Sequence, residues 1–142
     1  MSSRYVSKAL RRKIASQARN RCGYCLVSQQ IIGPLLEIDH LMPVALGGTS
    51  EEANLWLACP LCNGAKSDLS YALDPLTKQT VSLFNPRQDR WQTHFQWIDD
   101  GAVLEGLTPI GRATVAALNM NQPDIVTTRK LWVSVGWHPP KD

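Results

Sequence analysis

Apolar residues recur at Leu10, Ile14 and Ala18 within a polar stretch, the spacing of one face of an α-helix. Ser7 stands before them as a cap, so the pattern predicts a helix from about Lys8 to Arg19. Gln17 completes its narrow inner stripe. Leu35-Leu36-Glu37-Ile38-Asp39-His40 reads as a short strand, and Pro43 with Gly47-Gly48 demands a loop. Leu55-Trp56-Leu57-Ala58 is a second short apolar run, and Asn63 to about Tyr71 reads as a helix stopped by Asp74-Pro75.

Phe84-Asn85-Pro86 marks a turn. His94-Phe95-Gln96-Trp97-Ile98 and Ala102-Val103-Leu104 flank Asp99-Asp100-Gly101, which predicts a hairpin. Thr108-Pro109 combines a cap with a proline at the first helical position, opening a helix to about Leu118. Pro123 opens a last helix that ends before Gly136. The expected class is α+β. No internal repeat and no linker rich in Gly, Ser or Pro interrupts the chain, so residues 1–142 are expected to form a single composite domain. Its parts are a core over 21–72 and a C-terminal extension over 80–138.

The cysteines sharpen this picture. All four fall in two Cys-x-x-Cys pairs, Cys22 with Cys25 and Cys59 with Cys62. No run is long and apolar enough to span a bilayer, and no signal-type apolar run follows the basic start Met1 to Lys13. A cytoplasmic chain is therefore expected, where disulfides are disfavoured. Two such pairs can instead supply four thiolates to one structural Zn²⁺, the expected reading ahead of a redox pair or four ordinary core thiols. Gly23 is expected to allow the tight turn that brings the first two sulfurs together.

The formal charge of +3 says little, but its distribution says more. No Asp or Glu occurs before Glu37, while Arg4, Lys8, Arg11, Arg12, Lys13, Arg19 and Arg21 all do. A one-sided basic segment fits nucleic acid, with Lys8, Arg11, Arg12 and Lys13 as the expected contacts. Composition alone fits a solvated helix face equally well.

The series Cys22-x-x-Cys25, Ile38-Asp39-His40-Leu41-x-Pro43, Gly47-Gly48, Asn54-Leu55, Cys59-x-x-Cys62-Asn63-x-x-Lys66 resembles the HNH endonuclease family. With Asn63 at the last motif position, where many members carry His, it is similar to the His-Asn-Asn subtype. The resemblance implies a ββα-metal (His-Me finger) core tied by the four-cysteine zinc site. It also implies hydrolysis of DNA, with Asp39 and Asn63 on a catalytic Mg²⁺ or Mn²⁺, His40 as general base and Asn54 as a brace for its loop. The chemistry agrees: an unperturbed imidazole titrates near pH 6.5 and can take a proton from water. A carboxylate with an amide oxygen makes a hard, sparse site. Lys66, one turn past Asn63, is expected to face a phosphate or to lie on the solvated surface. One finger cuts one strand, so a monomer nicks, and a double-strand break needs a homodimer or two visits.

The second half, from Leu83-Phe84-Asn85-Pro86-Arg87 through Gly106-Leu107-Thr108-Pro109 to Gly136-Trp137-His138-Pro139-Pro140, resembles the extension of stand-alone bacterial HNH proteins. No chemistry is assigned to it. His94 reads as a packed structural residue and His138 as exposed. Trp56, Trp91, Trp97, Trp132 and Trp137 read as core rather than base-stacking residues. Two rivals share these features: a zinc-dependent DNA-binding module without catalysis, and an HNH nuclease that cleaves RNA. The first would have no need to keep Asp39, His40 and Asn63 together.

Overall fold

The short polar and apolar runs settle into short elements, shown by a computed structural model that describes residues 4–141; Met1, Ser2 and Ser3 of the basic start, and Asp142, lie outside them. The fold is α+β, and it divides into two units. One runs through Ser70 and takes in Asn85–Gln88; the other comprises Tyr71–Phe84 and the chain from Asp89 onward.

In the first unit, α1 spans Lys8–Gln17, with the Ser7 hydroxyl accepting from Leu10 N as a cap should. Ile14 and Ala18 are buried, but Gln17 is not part of the inner stripe. Its side chain is exposed and donates to Glu52 Oε2 at 2.9 Å. A one-turn helix, α2 (Gln29–Ile32), capped by Ser28, fills part of the stretch between the cysteine pairs. Strand β1 (Glu37–His40) pairs antiparallel with β2 (Leu55–Ala58), placing Asp39 opposite Trp56 and His40 opposite Leu55. The strand is shorter than its apolar run, because Leu35 lies in a turn.

Helix α3 covers Pro60–Lys66, not Asn63 to Tyr71. It starts earlier because Cys59 serves as the N-cap, its sulfur accepting from Cys62 N, with Pro60 in the first turn. It stops at Ser67, which holds φ 47°, a left-handed conformation rare outside glycine.

Gly23 has a different role from the expected one. It is absent from the left-handed region. A Cβ there would lie 2.7 Å from Pro86 Cβ and run into the Trp56 indole. The need for glycine comes from packing of the 85–88 segment and the indole on the knuckle. Arg87 secures that segment, donating from Nη2 to Leu55 O at 3.0 Å and to Gln17 Oε1 at 2.8 Å, with its guanidinium over the Trp56 ring.

The second unit opens with a hairpin, β3 (Tyr71–Leu73) and β4 (Thr80–Ser82), where a helix end was expected. Asp74 sits between them and caps the turn through Leu76 N and the Thr77 hydroxyl. It also takes both arms of the Arg112 guanidinium at 3.0 Å, which holds its carboxyl well below the usual range. After α4 (Trp91–His94), β5 (Phe95–Ile98) and β6 (Val103–Gly106) form the hairpin predicted around Asp99-Asp100-Gly101. Helices α5 (Pro109–Ala117) and α6 (Pro123–Ser134) follow, each with proline in its first turn.

His94 is packed, with Nδ1 2.6 Å from the Thr108 hydroxyl and its ring edge-on to Phe84. His138 is buried rather than exposed: its Nε2 lies 3.1 Å from Gly101 O, and its ring meets Trp97 edge-on. Burial lowers its pKa to about 4, so it stays neutral. Trp137, by contrast, is 59% exposed and not part of a core.

Gly23→Ala is expected to lower stability by about 1–3 kcal/mol through overpacking. The urea unfolding midpoint checks this; an unchanged midpoint would show that Trp56 and Pro86 yield freely.

Candidate functional site

Four sulfurs and one buried ion pair organise the first unit. The first knuckle closes with Cys22 N donating to Val27 O and Leu26 N to Cys22 O. It docks on β2 through Gly23 N to Leu57 O at 2.8 Å. The second knuckle is the N-terminal turn of α3. Together they bring Cys22, Cys25, Cys59 and Cys62, all buried, into one cluster whose sulfurs lie within 4.8 Å of one another. No disulfide joins them. Cys25 Sγ and Cys59 Sγ stand 3.7 Å apart. Tetrahedral zinc with bonds of about 2.3 Å sets its sulfurs about 3.8 Å apart, so the cluster fits structural zinc.

Burial and neighbouring sulfurs push the Cys22 thiol up, and the surrounding sulfurs push Cys62 up. Hydrogen bonds from Cys22, Cys25 and Cys62 draw Cys59 far down. Four buried sulfurs this close cannot all ionise without a cation among them, and a thiolate is what zinc binds.

From the first knuckle, Tyr24 reaches the second group. Its hydroxyl donates to Asp39 Oδ2 at 2.5 Å. Burial, then the adjacent carboxylate, pushes the phenol well up, so it remains a donor. Asp39 Oδ1 takes the Lys66 ammonium at 3.0 Å, and the same ammonium donates to His40 O at 2.9 Å. Asp39 is 1% exposed and Lys66 3%. Lys66 therefore lies buried against Asp39 and not on the solvated surface. It neutralises Asp39 and ties α3 to the end of β1.

His40 is half-buried, with Nε2 2.9 Å from Ser50 Oγ. Burial lowers its pKa; Asp39 pulls it up, and Arg4 and Lys66 lower it further. Asn54 holds the loop between the strands. Its Oδ1 accepts from Met42 N at 2.8 Å, and its Nδ2 donates to Met42 O at 3.0 Å and Thr49 O at 2.7 Å. The loop has little slack at Gly48, where a Cβ would collide with the carbonyl of Met42. Asn63 donates from Nδ2 to Glu37 Oε1 at 2.9 Å, which spends its amide nitrogen and keeps its oxygen as an acceptor.

Asp39, His40 and Asn63 line one pocket of about 110 Å³. Arg4, Pro43, Ser67 and Asp68 line it as well. Residues 22–69 match the family model of HNH endonucleases. The HNH segment is a third of the chain, from the first sulfur to just past α3. No curated protein matches the chain. The match suggests a nuclease, and the four sulfurs fit a structural zinc site. Among the described residues no helix is long and apolar enough to cross a membrane.

The expected nucleic-acid residues Lys8, Arg11, Arg12 and Lys13 are all exposed on α1, one helix beside the HNH segment in sequence. Lys13 also meets Glu52 Oε1 at 2.8 Å, and that contact lowers the Glu52 pKa. Tyr24, Ser50 and Asp68 line or back the pocket without having been singled out by sequence patterns, and Arg4 was read only as part of the basic segment. Tyr24 carried a signal as an aromatic between two cysteines of one pair.

Lys66→Met is expected to cost about 3–5 kcal/mol, because it strands a buried carboxylate. The double variant D39N/K66M should recover part of that loss. Chemical denaturation of both checks the pair; equal stability of K66M and the parent would show that Asp39 has another cation or is protonated.

Proposed function

We propose that the protein is a metal-dependent HNH endonuclease that hydrolyses DNA phosphodiester bonds, cutting one strand per monomer. The observation that carries this reading is the convergence of Asp39, His40 and Asn63 on one pocket inside the matched segment. In this reading β1, β2 and α3 are the ββα-metal finger, and the four cysteines hold its structural Zn²⁺.

His40 is the general base. With Nε2 against Ser50 Oγ, the ring keeps one orientation and leaves Nδ1 to take a proton from water. The lowered pKa keeps the imidazole neutral near pH 7, the form a base needs. Asn54 contributes by fixing the loop that follows His40, through its bonds to Met42 and Thr49.

Asp39 and Asn63 would hold the catalytic ion. The donors around the pocket are hard oxygens, and an ionised carboxylate has roughly four lone-pair sites, so Tyr24 and Lys66 leave capacity on Asp39. Such a set suits Mg²⁺ or Mn²⁺ better than softer ions. When bound, such an ion supplies positive charge to the crowded phosphorus centre and the leaving oxygen. Lys66 already offsets the Asp39 charge, so affinity for the ion is expected to be weak. Lys8, Arg11, Arg12 and Lys13 supply the sequence-independent grip on the DNA backbone. Lys66 is withdrawn from that role by its burial.

The test is nicking of supercoiled plasmid with Mg²⁺, Mn²⁺ or chelator, using parent and His40→Ala proteins. The parent should nick in either ion and stop in chelator, and His40→Ala should be slower by about 10²–10⁴-fold while still binding duplex. Parent and variant nicking at the same rate would reject His40 as the base. A parent that binds duplex and never cuts would favour the non-catalytic module, and cleavage confined to RNA would shift the substrate.

A further inference from the structure

A phosphodiester entering the His40–Asn63 pocket is anionic, and Lys66 is not available to meet it. Its ammonium is committed to Asp39 Oδ1 and His40 O, and its side chain is buried. Arg4 is the cationic side chain among the pocket-lining residues, beside Asp39, His40, Asn63 and Asp68. It is exposed. It precedes the Ser7 cap by three residues, in the stretch without helix or strand that leads into α1. The pocket thus joins the N-terminal basic segment to the motif residues.

The carboxylates on the pocket differ in setting. Asp39 is matched by Lys66, whereas Asp68 is exposed at the Ser67 turn. The one pocket lining therefore holds a cationic group suited to an anion, Arg4, and oxygen donors suited to an ion, on Asp39, Asn63 and Asp68.

We propose that Arg4 docks the phosphate of the nucleic-acid strand at this pocket, setting the strand against His40. The planar guanidinium can give two parallel hydrogen bonds to one phosphate, which fixes orientation as well as charge. Arg4 thereby acts at the reacting phosphate, while Lys8, Arg11, Arg12 and Lys13 on α1 hold phosphates elsewhere along the strand. Its place in the reaction rests on the nuclease reading, but phosphate docking does not.

Binding of a fluorescent DNA duplex is measured by anisotropy in chelator across a salt series, for the parent, R4Q, R4K and the surface control K130Q. R4Q should reduce the slope of log K against log salt by about one, R4K should restore it, and K130Q should leave it alone. Single-turnover nicking at saturating DNA should fall on the order of 10²-fold in R4Q and recover only partly in R4K, since a single ammonium lacks the two-pronged geometry. A parent that binds duplex without nicking would defeat the nuclease reading, and the salt slopes would still decide on Arg4. An unchanged slope in R4Q, an equal drop in K130Q, no duplex binding by the parent, or a full nicking rate in R4Q would each overturn the proposal.

Discussion

Four buried sulfurs within 4.8 Å of one another impose the main constraint on the first unit. Such a cluster fits one zinc ion balancing its thiolates, and its two halves lie on either side of the stretch from Leu26 to Ala58. Closing that loop costs chain entropy that two short strands and a one-turn helix cannot recover alone. Everything proposed for catalysis, from β1 through the Asn54-braced loop to β2, lies inside the closed loop or on the helix that begins at Cys59.

The sulfur cluster is also coupled to the pocket by short physical links. Tyr24 lies between two of the cysteines and donates to Asp39. Lys66 lies one turn beyond Cys62 on α3 and reaches the other oxygen of the same carboxylate. Asp39 is therefore gripped from both knuckles at once. A zinc ion on the four sulfurs would hold Tyr24 and α3 together, and with them the orientation of Asp39.

Much of this was legible in the chain. The cysteine spacing gave the cluster, and the Ile38-Asp39-His40 and Leu55–Ala58 runs gave two strands, whose pairing only the family resemblance implied. The Asp99-Asp100-Gly101 turn and the two helix-opening prolines were equally plain. What local patterns could not carry was long-range pairing. Lys66 reads as surface until its partner 27 positions away is known. Gly23 reads as a turn glycine until Pro86 and Trp56 are seen against it. Tyr71 reads as the end of a helix because nothing nearby shows that Ser67 has already left it. His138 reads as a tail residue because its contacts, Trp97 and Gly101, lie on a distant hairpin.

The central claim is that a single zinc ion on Cys22, Cys25, Cys59 and Cys62 holds the HNH segment together. X-ray absorption at the zinc edge, on protein purified without added metal, tests it most directly. The account predicts one zinc per chain with a shell of four sulfurs at about 2.3 Å. Protein that is folded without zinc, or a zinc shell dominated by nitrogen and oxygen, would contradict it.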